Sequence, residues 1–246
     1  MTRHVTAMTI DDVEHYSAED KARIIASYPP HEREARAKGI PTMGSGRIFP
    51  VEEALISTSP IPIPKHWAQI NGLDFGYDHP FAAVNIAWDR DADCVYVAKC
   101  FRQREATPIL HAPSVKPWGA WIPCAWPHDG YQHDKGGSGE QLASQYRDQG
   151  LNMLPEHATH AEGGNGVEAG LMEMLDRMQT GRLKVFSNLN DWFEEFRLYH
   201  RLDGKVVKLR DDLMSATRYA IMMLRYAETE PSRHERRRAN IGHLSA

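Results

Sequence analysis

The sequence predicts an α/β fold in which a mixed β-sheet is flanked by helices, entered through an N-terminal helical and extended strap. Three apolar runs, residues 69–75 (QINGLDF), 81–88 (FAAVNIAW) and 94–101 (CVYVAKCF), have strand length and follow one another with no helix between them. The polar turn at 89–93 is short enough to make the last two an antiparallel hairpin. Beyond it, strand-like and helix-like patterns alternate and close on helices, the order of a mixed sheet with helical layers.

Each element has a local reason. Ser17-Ala18-Glu19-Asp20 has capping-box spacing, so a helix opens there, runs through Ile24, Ile25 and Tyr28, and stops at Pro29-Pro30. A second short helix is expected over 31–38, ending at Gly39. The glycines and prolines of GIPTMGSGRIFPVEEALISTSPIPIPKHW then favour an extended strap, a linker or a segment that wraps a neighbour. After the hairpin, a helix is expected within 108–118 and a fourth strand at 121–126 (WIPCAW). A helix over 139–149, with Leu142 and Tyr146 on one face, leads to a fifth strand at 151–154. A clearer amphipathic helix spans 167–180 and ends at Gly181; its Leu171, Met174, Leu175 and Met178 stripe is core packing. LKVF at 183–186 is the last strand before helices at 191–201 and 212–227, with DGKVVKL between them as a small hairpin or strand. Met222, Met223 and Leu224 read as core. The chain thus divides into an N-terminal segment (1–66), a central domain (67–228) and a basic tail (229–246) expected to be disordered.

Composition narrows the function. With 41% apolar residues in 246, the chain can bury one good core with extensions. A net charge of −4 excludes a surface that is cationic throughout, so any nucleic-acid contact must be local. Cys94, Cys100 and Cys124 lack C-x-x-C spacing, which gives neither a disulfide framework nor a zinc ribbon and fits a reducing compartment. No apolar run approaches a membrane span, and the first residues lack the apolar core of a secretory signal. MGSGRIF and KGGSGEQ have glycines but no lysine followed by a hydroxyl residue, so no nucleotide-binding phosphate loop is expected in this sequence.

Acids at strand ends are where the chemistry is expected. Two divalent ions about 4 Å apart must be neutralised by carboxylates from separate elements while keeping open positions for water and phosphate. Asp74 ends the first core strand in Gly72-Leu73-Asp74-Phe75-Gly76, and Asp129 follows the fourth in Trp126-Pro127-His128-Asp129-Gly130. Parallel strands end together, so these two can meet at one edge. A third acid comes from the start of the last helix, Asp211-Asp212. Each alone also reads as a turn or cap residue; their joint placement is what argues for a site. His128, Asp78 and His79 are candidates for supporting contacts. His128 with His133 and the pair His157 and His160 admit a zinc site, but the acids favour a hard, oxygen-ligated ion. Lys135, Lys205, Lys208 and Arg210 are the basic residues nearest the acids and the candidate DNA phosphate contacts.

GLDFGYDHP, WPHDG and DDLMSATRYA, with HEREARAKGIPTMGSGRIFPV upstream, resemble the large terminase subunit of tailed bacteriophages, specifically its C-terminal nuclease domain. The resemblance runs from about Tyr28 to Ala227. It implies an RNase H-like fold, two magnesium or manganese ions, and an endonuclease that cuts concatemeric viral DNA at the start and end of head filling. Carried over by position, Asp74 and Asp129 match the first two metal-binding acids. Relatives place the helix acid where this chain has Ser215, whereas here Asp211 and Asp212 lie a turn earlier; Asp212 is the expected ligand, with Asp211 in reserve. The implied partners are double-stranded DNA, the terminase ATPase region or subunit, the small subunit and the portal protein, in the host bacterial cytoplasm and with no membrane. Since the ATPase loop is missing, the motor is expected elsewhere, in a split gene or outside an excised domain.

Two other readings fit parts of the pattern. A non-catalytic module would dock on portal or ATPase through the strap and the basic tail. Another RNase H-like enzyme, such as a junction resolvase or transposase, would share the acids but leave the GIPTMGSGRIFPV strap unexplained.

Overall fold

The computed structural model describes residues 9–13, 15–28, 33, 37, 46–131 and 142–232. The three apolar runs form β2 (Ala68–Asp74), β3 (Phe81–Asp89) and β4 (Cys94–Gln103); β3 and β4 make the antiparallel hairpin that the sequence predicts, and β2 also pairs antiparallel with β3. In the turn of the second hairpin Asp89 Oδ1 accepts the N–H groups of Asp91 and Ala92 at 3.1 and 3.3 Å, and Asp93 takes the left-handed conformation. Aspartate suits such a turn because its short acceptor replaces a missing backbone bond.

Four shorter strands complete the sheet: β1 (Ser57–Thr58), β5 (Pro123–Ala125), β6 (Asn152–Met153) and β7 (Leu183–Phe186). The spatial order is β1-β7-β4-β3-β2-β5-β6, with β5 parallel to β2, β6 parallel to β5, β7 parallel to β4 and β1 parallel to β7. A separate ribbon pairs β8 (Arg201–Leu202) with β9 (Lys205–Val206), the small hairpin expected from DGKVVKL. The helices are α1 (Ala18–Ser27), α2 (Glu53–Ile56), α3 (Pro108–Val115), α4 (Leu142–Asp148), α5 (Val167–Gln179), α6 (Asn190–Leu198) and α7 (Asp212–Met222). Ser17 caps α1 as its spacing predicts, accepting the Asp20 N–H at 3.1 Å.

Side-chain alternation assigns the two faces. Gly72 and Asp74 point toward α7, which crosses β2 and its neighbours with α5 and α6 beside it. Phe75 and Phe81 point the other way and stack on Tyr146 of α4, with Phe81 also on His111 of α3. Both faces of β2 and β3 are therefore covered, which is why these strands read as nearly continuous apolar runs. The expected stripe is core: Leu171, Met174 and Met178 are buried, with Leu175 partly so.

Three expectations are corrected. The last helix stops at Met222 rather than at Ala227. The chain tightens into a 3-10 turn (Leu224–Tyr226) so that Glu228 can exchange backbone bonds with Gln69, whose edge β5 leaves open. The expected strand at 151–154 shrinks to two residues because β6 is an edge strand with only the three-residue β5 as partner. The strap, expected to lack regular structure, is irregular over 59–66, but 46–58 are built into the domain. Ile48, Phe49, Val51 and Ile56 join the core, and β1 extends the sheet. The apolar residues of RIFPVEEALI have no simple period, yet Phe49 packs on Phe196 and Tyr199 and Ile56 is buried at the end of α2. Gly46, within the predicted strap, approaches the Arg201 carbonyl so closely that a Cβ would stand 2.8 Å from it. Of the expected helix at 31–38, only Arg33 and Ala37 are described, both helical. The rest of that helix, the KGGSGEQ loop and the basic residues after 232 lie outside the described residues.

Candidate active site

The site begins with one glycine. A Cβ on Gly72 would lie 1.9 Å from the Ala216 carbonyl oxygen, so only glycine lets β2 and α7 approach this closely. Two residues on, on the same face, β2 ends at Asp74. The parallel neighbour β5 ends at the same edge and leads through Pro127 into a 3-10 turn that holds Asp129. The third contribution is the start of α7, with Asp211 at the N-cap and Asp212 in the first turn. Behind Asp74 the chain turns sharply: a Cβ on Gly76 would meet the His79 carbonyl oxygen at 2.3 Å. The stacks of Phe75 and Phe81 on Tyr146 pin both ends of this turn.

Electrostatics tie the acids together. Asp74 is raised well above the usual carboxylate range, first by burial, then by repulsion from Asp129, Asp212 and Asp211, with Arg218 acting the other way. Asp74 keeps some solvent-accessible surface. Asp211 is raised to about 6 by burial and by Asp212, against Lys208 and His79. Asp212 is also raised, mainly by burial, with His79, Arg102 and Arg104 opposing. A carboxylate repelled by three others is the chemistry expected of a hard divalent-ion site. Among the described residues, no three His, Cys, Asp or Glu side chains are already gathered to clasp one ion, so the acids approach one another without closing.

A second set of residues escaped the sequence reading. Glu195 of α6 is fully buried, accepts the Leu213 N–H at 2.7 Å and takes Arg102 Nη1 at 2.9 Å. Burial raises its carboxyl to about 7, against Arg102 and the Leu213 N–H. Arg102 also reaches Glu194 at 2.6 Å and Asp191 at 3.2 Å. Arg218 of α7 is 4% exposed, its Nε has no hydrogen-bond partner, and its stem fills the space that Gly170 leaves open. Signals existed: Arg218 is a lone charge within LMSATRYAIMML, and Glu195 falls on the apolar stripe of Trp192 and Phe196. A buried ion needs partners from elsewhere in the fold, and a helical pattern does not name them.

The other candidates scatter. His79 faces Asp211 and Asp212, whereas Asp78 is exposed beside it. His128 is exposed and meets the His157 ring edge-on at 4.7 Å, while His160 bonds the Gly166 carbonyl at 3.0 Å, so the H-x-x-H pair is divided. Lys205 and Lys208 are exposed, Lys208 within reach of Asp211. The Arg210 guanidinium is held by Glu194 at 2.8 Å, so any phosphate contact competes with that pair. Lys135 and His133 lie outside the described residues.

Comparison with known proteins gives the chain a family. Residues 71–224 match the model of the terminase RNaseH-like domain, and residues 1–56 that of the N-terminal part of the T4likevirus-type terminase large subunit. The terminase large subunit of Salmonella phage P22 is 54% identical over 227 residues, 92% of this chain and 45% of that protein. That of Enterobacteria phage LP7 is 54% identical over 223 residues, 90% of this chain and 47% of that protein. This chain therefore spans about half the length of these relatives. The structure of the P22 large terminase nuclease domain matches with a TM-score of 0.71 at 50% identity, over 76% of this chain and 97% of that one. The large terminase of a thermophilic bacteriophage, at 15% identity and a TM-score of 0.58 over 89% of this chain and 55% of that one, shares the fold. The mixed sheet, the acid-bearing edge and these matches agree: the chain belongs to the phage terminase large-subunit family and holds its RNase H-like nuclease domain.

Proposed function

We propose that this chain is a divalent-metal-dependent DNA endonuclease that cuts concatemeric viral DNA while genomes are packaged into phage heads. The observation that carries the reading is the convergence of Asp74, Asp129 and the Asp211–Asp212 pair at one edge, where the other three acids each raise the proton affinity of Asp74. In this reading Asp74, Asp129 and Asp212 hold two magnesium or manganese ions, with Asp211 beside them. When bound, the ions would neutralise the phosphodiester and activate the attacking water. The chain's own residues do the rest. His79 lies where it favours the ionised forms of Asp211 and Asp212, and exposed Lys205 and Lys208 hold backbone phosphates without reading sequence. Working in the host cytoplasm, the domain would act with the packaging ATPase, the small subunit and the portal, which supply the local DNA concentration that few phosphate contacts cannot.

The test is relaxation and linearisation of supercoiled plasmid with Mn²⁺, for the wild-type chain and Asp74→Asn. Loss of cleavage in the variant supports the reading; cleavage at the wild-type rate overturns it. Branched and linear duplexes run side by side separate this enzyme from a junction resolvase, which would prefer the branch.

A further inference from the structure

We infer that Glu195 is a positioning residue for the metal-binding acids: it caps α7 from a neighbouring helix and so relieves Asp211 of that task, leaving its carboxylate at the edge it shares with Asp212 and Asp74. The inference rests on the metal-site reading above. The first N–H groups of a helix have no intrahelical acceptor, and the N-cap side chain commonly supplies one. Asp211 holds the N-cap position of α7 with a residue type well suited to capping, yet its side chain makes no such bond. The acceptor comes instead from α6, where Glu195 Oε2 takes the Leu213 N–H at 2.7 Å. Had Asp211 capped its own helix, its carboxylate would be turned onto the N–H groups of the first turn of α7 and drawn away from the acidic edge.

The surroundings hold Glu195 to that task. It is wholly buried, so its rotamer is set by packing, and its second oxygen is held by Arg102 at 2.9 Å. Arg102 is anchored in turn by Glu194 and Asp191, and Glu194 also takes Arg210, from the segment just before α7. A turn and more into α7, Trp192 Nε1 donates to Thr217 Oγ1 at 2.9 Å, which fixes α6 against α7 at a second point. The two helices therefore behave as one unit with the acids at its tip. A buried carboxylate gains nothing for packing at this position over an apolar residue of its size.

The experiment compares Glu195→Gln with Glu195→Asp in the 246-residue chain, by Mn²⁺ titration of the melting temperature and by amide hydrogen exchange at Leu213. Glutamine keeps an acceptor at the right reach but no charge; aspartate keeps the charge but falls one methylene short. Capping predicts that the Gln variant retains the Mn²⁺ midpoint within a few-fold and a protected Leu213 amide. The Asp variant should weaken Mn²⁺ binding by about 10–100-fold, the size typical of losing an outer support of a metal site, and expose that amide. The reverse order, equal loss in both variants, or no loss in either overturns the proposal. Asp74→Asn runs alongside: if it leaves the Mn²⁺ response intact, the metal-site reading fails, whereas a lost response there with an unchanged Asp variant sinks only the role of Glu195.

Discussion

Gly72→Ala tests how closely the site depends on the contact between β2 and α7. The added Cβ would stand 1.9 Å from the Ala216 carbonyl oxygen and 2.9 Å from the Ala220 Cβ. Backbone cannot swing aside as a flexible side chain does, so α7 must retreat by more than about 1 Å before the shorter contact becomes tolerable. Overpacking of this kind costs about 1–3 kcal/mol, which in a domain of this size lowers the melting temperature by roughly 2–12 °C. The functional cost is expected to exceed the stability cost, because the same retreat carries Asp211 and Asp212 away from Asp74. A misplacement of about 1 Å in a catalytic constellation is worth roughly 100-fold in rate. The assay is a thermal melt with and without Mn²⁺ beside plasmid cleavage, with Gly166→Ser as control, since nothing lies within 4 Å of a Cβ at Gly166 and serine suits its N-cap position. If Gly72→Ala melts and cuts like the control, the close approach does not set the distance between the acids.

The pH dependence of the metal-free domain follows from the raised carboxyls. An acid whose folded pKa is raised stabilises the fold below its unfolded pKa, and loses that contribution as pH climbs through the folded value. For Glu195, raised from 4.5 to about 7, this is about 3 kcal/mol lost between pH 4.5 and 7, so subtracting the Glu195→Gln melting curve from the wild-type curve should reveal a fall across that window; a flat difference contradicts it. Because Asp74, Asp211 and Asp212 shift in the same direction, the rise in melting temperature caused by Mn²⁺ should grow from about pH 5 to about pH 7.5. Asp212→Asn should reduce that rise more than Asp211→Asn, since the repulsion of Asp212 on Asp74 exceeds that of Asp211; the opposite ranking in paired titrations would make Asp211 the ligand. Duplex binding followed by fluorescence anisotropy should be weak, indifferent to sequence and shallow in its salt slope, and Lys205→Ala with Lys208→Ala should flatten that slope by about two units; tight binding to one sequence at high salt would point to a site-specific enzyme.

Much of this was legible in the residues before any folding was considered. The meander of β2, β3 and β4 follows from three apolar runs and a polar turn, because hydrophobic period and turn chemistry are local properties of the chain. Asp74 and Asp129 could be singled out because a carboxylate that ends an apolar strand, or follows one closely, conflicts with burial, and that conflict is visible in sequence. The strap was misread for the same reason: Phe49 and Ile56 have no periodic partners, and Phe49 packs on Phe196 and Tyr199, from the far end of the chain. The distance between β2 and α7 was decided by the lack of a side chain at Gly72 against a carbonyl 144 residues on. Whether Asp211 would cap its own helix or face the other acids was decided by Glu195, which supplies the acceptor from a different helix. Sequence by itself determined which groups the molecule has for its chemistry; only the tertiary structure decided which of them are free to use it, because a hydrogen-bond acceptor or a packing surface can come from any part of the chain.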